Sequence, residues 1–175
     1  MAHQVISLHI KPHLAAYLTK TWCVNSEVIN LTSEFIFGHY LFACIKSKSG
    51  KYKSSLNLGA VLKLRVFEHE KHGGSFDGRY LSLYINDVDA KRFNRAIELL
   101  MNKELFNLLD GVISQNPKAK IKIGILNFLD KYELEPQVMN YERCKQAYYR
   151  YKKSRERSKK QALIINSVKT SLILS

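Results

Sequence analysis

KAKIKIGILNFLDKYELEPQVMNYERCKQAYYRYKKSRERSKK, residues 118–160, carries the strongest pattern in the chain. Ile121, Ile125, Phe128, Leu129 and Tyr132 recur at i, i+4, i+7, i+8 and i+11, the spacing of one apolar helix face. Pro136 then breaks the pattern, because it lacks an N–H and turns Glu135 away from the helical region. Asn140 is placed to cap a second helix. In that helix Tyr141, Cys144, Ala147, Tyr148 and Tyr151 form a narrow apolar seam, and Gln146, Tyr149, Arg150, Lys153 and Arg157 lie on the opposite side.

Two helices joined by a break, the second basic on its outer face, are what a helix-turn-helix needs to lay a recognition helix in a major groove. Residues 143–160 hold nine Lys/Arg against the single Glu156, so +8 of the chain's +13 sits there. A merely solvated helix mixes both signs. Residues 1–116 carry +4 and residues 117–175 carry +9, which places a domain boundary at Asn116-Pro117 and points to a polyanionic partner. At YERCKQAYYRYKKSRE the sequence resembles the basic C-terminal helix of small helix-turn-helix proteins of bacterial prophages and transposable elements. The resemblance covers residues 118–160 and implies DNA binding in the regulation, replication or transposition of a mobile element. The break holding Pro136 is longer than the tight turn of the best-known members.

The nucleic-acid-binding residues read from this stretch are Arg143, Lys145, Gln146, Tyr149, Arg150, Lys152, Lys153, Arg157 and Lys160. Gln146, Tyr149 and Arg150 are assigned to base edges; Lys153, Arg157 and Lys160 to phosphates. DNA is the expected partner, RNA the alternative, and non-specific polyanion binding by a structural or assembly protein the competing reading.

Working outward, VISLHI at residues 5–10 alternates as a half-buried strand, and Pro12 opens a helix with Leu14, Tyr17, Leu18 and Trp22 on its apolar stripe. CVNSEVINL reads as a loop. A second helix, capped by Thr32 or Ser33, is expected over residues 34–46, apolar nearly all round and deep in the domain. The order of elements over residues 5–46 also resembles ribbon-helix-helix repressors, which would aim Ser7, His9 and Lys11 at bases. KSKSGKYKSS, residues 46–55, is a cationic loop able to touch phosphates, but it lacks the spacing of a P-loop.

VLKLRVFE and RYLSLYI flank a glycine-containing stretch and predict an antiparallel hairpin. Its tip holds His69, His72 and Asp77, with Asp87 and Asp89 beyond; these are the ingredients of a metal-dependent nuclease at a spacing that fits no metal motif. Asp87 or Asp89 is expected to cap a long helix that keeps a helical register, with an irregularity near Asn102, and ends at Gly111 and Asn116-Pro117. The apolar tail ALIINSVKTSLILS is expected to be packed, by continuing the last helix, adding a strand or docking on a second subunit of a homodimer. Cys23, Cys44 and Cys144 match neither a disulfide framework nor a zinc site and are expected as free thiols.

With 46% apolar residues and no run long enough to span a bilayer, these features predict a soluble, cytoplasmic α+β protein that binds rather than catalyses and needs no cofactor. The expected architecture is a small antiparallel sheet, formed by the N-terminal strand and the hairpin and covered by helices, followed by a helix-turn-helix-like unit.

Overall fold

The computed structural model describes residues 3–22, 28–32, 37–67, 82–116 and 120–173, with side chains to residue 162. In chain order the elements are β1 His3–Ile10, α1 Pro12–Thr21, β2 Val28–Leu31, α2 Gly38–Cys44, β3 Ile45–Lys48, β4 Ala60–Phe67, β5 Ser82–Ile85, α3 Asp87–Gln115, α4 Ile121–Lys131 and α5 Tyr141–Ile173. The class is α+β, as the sequence predicts. The chain divides into two compact units, residues 1–101 and 102–175. The charge shift at Asn116-Pro117 therefore falls inside the second unit: α3 gives its first half to one core and its second half to the other.

In the first unit β1 runs antiparallel to β4 from His3↔Phe67 to Ile10↔Ala60, and β2 runs parallel to β4 on its other side, from Val28↔Lys63 to Leu31↔Val66. Both edges of β4 are thus filled, so the expected hairpin with β5 does not form. β5 pairs instead with β3, Ile85 opposite Ile45. The hairpin reading failed because alternation identifies a strand without naming its neighbour. Alternation does fix the faces: Ile6, Leu8 and Ile10 of β1 are buried, as are Ile29 and Leu31 of β2 and Leu64 and Val66 of β4.

β2 lies in the stretch read as a loop, and it separates α1 from α2, so the strand-helix-helix order of the ribbon-helix-helix proteins is not kept. α1 starts at Pro12 as expected and buries Leu14, Tyr17 and Leu18, while Trp22 sits at its C-terminal end, only half-buried and tilted against Phe37. α2 is short. It buries Gly38, Leu41 and Cys44, leaves His39, Tyr40 and Ala43 exposed, and gives way to extended backbone at Ile45, so it is neither long nor apolar all round.

Asn86, not Asp87 or Asp89, caps α3: its Oδ1 accepts the Asp89 N–H at 2.8 Å. The Asp87 carboxylate turns back to accept hydrogen bonds from the Ser54 and Ser55 hydroxyls, both 2.6 Å, the Tyr52 hydroxyl and the Ser55 N–H. The bonds from Ser54 and Ser55 hold its pKa well below the usual carboxylate range. Because the folded-state pKa is depressed, this latch is complete at neutral pH and is lost only as pH falls through and below the ordinary carboxylate range.

Asn94, 3% exposed, pins α3 to the end of β1 and the start of α1. Its Nδ2 donates to the His9 and Ala90 carbonyls at 3.0 and 2.8 Å, and its Oδ1 accepts the Lys11 N–H at 2.9 Å. Beside it Lys11 Nζ meets Glu98 at 2.7 Å. Asn94→Ala is expected to lower stability by about 2–4 kcal/mol, because it leaves buried backbone groups without partners. Urea unfolding checks this; an unchanged midpoint would show that the pin carries no stability.

The second unit is built from the C-terminal half of α3 with α4 and α5. Leu105, Leu109, Ile125, Phe128, Tyr132, Leu134, Met139, Cys144 and Tyr148 are buried. Gly124 lets α4 approach α3 closely, since a Cβ there would lie 2.7 Å from a methyl of Leu109. Gly111 does not end α3, which runs through it to Gln115. Among the described residues no helix is long and apolar enough to cross a membrane.

Candidate nucleic-acid interface

The candidate interface is one face of α5, and the orientation of that face is set from the buried side. Asn140 caps the helix as the sequence predicts, its Oδ1 accepting the Arg143 N–H at 3.0 Å. The predicted seam is the buried one: Cys144 and Tyr148 are fully enclosed, and Tyr141, Ala147 and Tyr151 are half-buried. The Tyr151 ring stacks on Phe106 of α3 at 4.6 Å, and Tyr148 lies 5.9 Å from the same ring. The Tyr148 hydroxyl donates to Asp110 at 2.7 Å, and Arg155 reaches the other oxygen of that carboxylate at 2.8 Å. Burial first, then the bond to Asp110, raises the Tyr148 pKa, so the phenol stays protonated as a donor.

The link from α4 to α5 spans residues 132–140, nine in number, well beyond the three or four of a tight helix-turn-helix turn. It is ordered by hydrogen bonds rather than brevity. Glu133 takes a left-handed conformation, φ 49°; its N–H bonds the Asp130 carbonyl, and the Leu134 N–H bonds that of Leu129. This is a Schellman cap with glutamate where glycine is usual, which is why no glycine announces it in the sequence. Leu134 and Met139 are buried, anchoring both ends of the link. Glu104 accepts hydrogen bonds from Lys131, at 2.9 Å, and from the Tyr132 hydroxyl.

With the seam fixed inward, Gln146, Tyr149, Arg150, Lys153, Arg157 and Lys160 are all exposed on the outer side. Arg150 Nη2 donates to Gln146 Oε1 at 3.5 Å, and Tyr149 is 53% exposed. From Gln146 to Lys160 the face runs about 21 Å along the axis, more than the width of a major groove.

Three of the sequence-assigned residues sit differently. Arg143 donates to the Val138 carbonyl at 3.3 Å, and Lys145 pairs with Glu142 at 3.4 Å and covers the Tyr141 ring. Lys152 lies on the flank, half-buried, 5.8 Å from the centre of the Tyr148 ring. Lys159, which the sequence assignment omits, is exposed and joins Lys152 and Arg155, with Asp110 and Glu156, around a shallow cleft of about 180 Å³. Its position in the basic run was the signal for it. Among the described residues, Arg150, Lys152, Lys153, Arg157, Lys159 and Lys160 have no carboxylate within ion-pair distance.

The tail continues α5 to Ile173, and the packing of its side chains lies outside the described residues, as does the tip with His69, His72 and Asp77. Among the described residues no group of three or more His, Cys, Asp or Glu could hold a metal ion. Cys44 and Cys144 are free and buried; Cys23 lies outside the described residues. Burial pushes the Cys144 thiol up to about 11, which keeps it protonated at neutral pH. Comparison of the chain with protein-family models, curated proteins and solved structures finds no match.

Proposed function

We propose that this protein binds nucleic acid, duplex DNA in the first place, through the outer face of α5, as a regulatory or accessory factor of a mobile element. The observation that carries the reading is the row of exposed cations with no carboxylate within ion-pair distance among the described residues, on a helix whose opposite face is locked into a core. Such a row releases counterions from a phosphate backbone and is worth little to the isolated fold. Gln146, Tyr149 and Arg150 precede the cations on the same face, where the N-terminal part of a recognition helix meets base edges. The mobile-element role rests on the sequence resemblance over residues 118–160.

Binding isotherms at several salt concentrations, on a duplex selected from a random pool and on a scrambled one, test the proposal. Arg150→Ala is expected to cost about 1–3 kcal/mol on the selected duplex and to relax preference at one base pair. Lys153→Ala should weaken both duplexes alike and reduce the salt slope by about one unit. Equal affinity of the native protein for both duplexes, with Arg150→Ala weakening them equally, would favour non-specific polyanion binding. No salt-dependent binding at all would end the reading.

A further inference from the structure

A second concave, cationic surface lies in the first unit, between β1 and β5. β1 is an edge strand of its sheet and β5 pairs with β3 alone among the described strands, so each turns one backbone edge towards the other. They meet through a side chain: Gln4 Oε1 accepts the Leu83 N–H at 2.6 Å. Beside this contact the strands leave a cleft of about 440 Å³, inside the range of small-ligand sites. Ser7 and His9 of β1, Lys51, Tyr52 and Lys53 of the segment before β4, and Tyr84 of β5 line it, and among the described residues no carboxylate does.

Its wall is built. Tyr52 and Tyr84 stack at 4.2 Å with an angle of 19° between their planes, and Lys48 Nζ lies 5.4 and 5.9 Å from the two ring centres. The segment is fastened from behind by the Asp87 carboxylate, which holds Tyr52, Ser54 and Ser55. Lys63 and Arg65 of β4 stand cross-strand from Ser7 and Val5 in the same sheet. Lysines on a convex surface are simply solvated. Here Lys51 and Lys53 rim a concavity, which gathers positive potential inward, and Tyr52 and Tyr84 offer aromatic surface in its wall.

We infer that this cleft binds a nucleotide, its phosphate held by Lys51 and Lys53 with donors from Ser7 and His9, and its base against the Tyr52–Tyr84 pair. Both the anionic and the flat aromatic part of the ligand find a partner within one cavity. The nucleotide can be free or part of a single strand, and the test separates the two. The site stands independently of α5, because a mononucleotide probe contains no duplex.

Adenosine monophosphate, adenosine and a single-stranded thymidine octamer are titrated by calorimetry into the full chain and into the Lys51→Ala/Lys53→Ala variant. Both lysines are exposed, so the variant should keep the native near-ultraviolet circular dichroism. The monophosphate is expected to bind with unit stoichiometry, about tenfold or more tighter than adenosine, and to lose about tenfold or more in the variant. A matching loss for the octamer assigns the site to nucleotides within a strand as well. Loss for the monophosphate alone assigns it to free nucleotides, and loss for the octamer alone to strands. Equal binding of adenosine and its monophosphate together with an octamer affinity unchanged in the variant, or no binding of any probe, would overturn the inference.

Discussion

Replacing Lys153, Arg157 and Lys160 together by alanine is expected to lower duplex-DNA affinity about a hundredfold near physiological salt and to flatten the salt slope by about three units. The three lie at i, i+4 and i+7 on the outer face of α5, all exposed, without a carboxylate within ion-pair distance among the described residues. Their charges add little to the fold, and alanine is a better helix former, so the variant should melt no lower than the native protein. Circular dichroism establishes that the helix is intact, and isotherms at four salt concentrations give the slope. An unchanged slope in a folded variant would mean that α5 is not where phosphates are neutralised. The cationic cleft of the first unit would then be the surface to examine.

Tyr148→Ala should remove about 3–5 kcal/mol of stability, the largest loss expected from one substitution in the second unit. The ring is 1% exposed, lies against Phe106 and joins α5 to α3 through its bond to Asp110. Tyr148→Phe keeps the ring and removes only the hydroxyl, and should cost about 1–2 kcal/mol, because Asp110 retains Arg155 as a partner. Urea unfolding of both variants separates packing from hydrogen bonding. Similar losses in the two would put the stabilisation in the hydroxyl rather than in the ring. Since this contact turns the basic face outward, Tyr148→Ala should also weaken DNA binding, whereas Tyr148→Phe should not.

The sequence alone determined those features whose cause lies within a few residues. Pro12 begins α1, Asn140 caps α5, alternation sets the buried face of β1, and helical spacing makes Cys144 and Tyr148 the inner seam, which leaves Gln146, Arg150, Lys153 and Arg157 outside. Each follows from a local rule of backbone geometry or periodicity. Tertiary structure decided the rest. β5 pairs with β3 because β1 and β2 occupy both edges of β4, and no property of VLKLRVFE or RYLSLYI states that. The stretch holding Val28–Leu31 becomes a strand by lying along β4. Asn86 can cap α3 while Asp87 turns to Ser54 and Ser55, a choice that depends on a segment more than thirty positions away. Phe106, Asp110 and Leu109 look in sequence like the end of one long helix of the first domain, yet they form the third wall of the unit that carries the basic face. A periodic segment shows that it has a side to bury; which surface covers that side is settled only when the whole chain competes for it, because burial stabilises any well-fitting pair of apolar faces without regard to their separation in sequence.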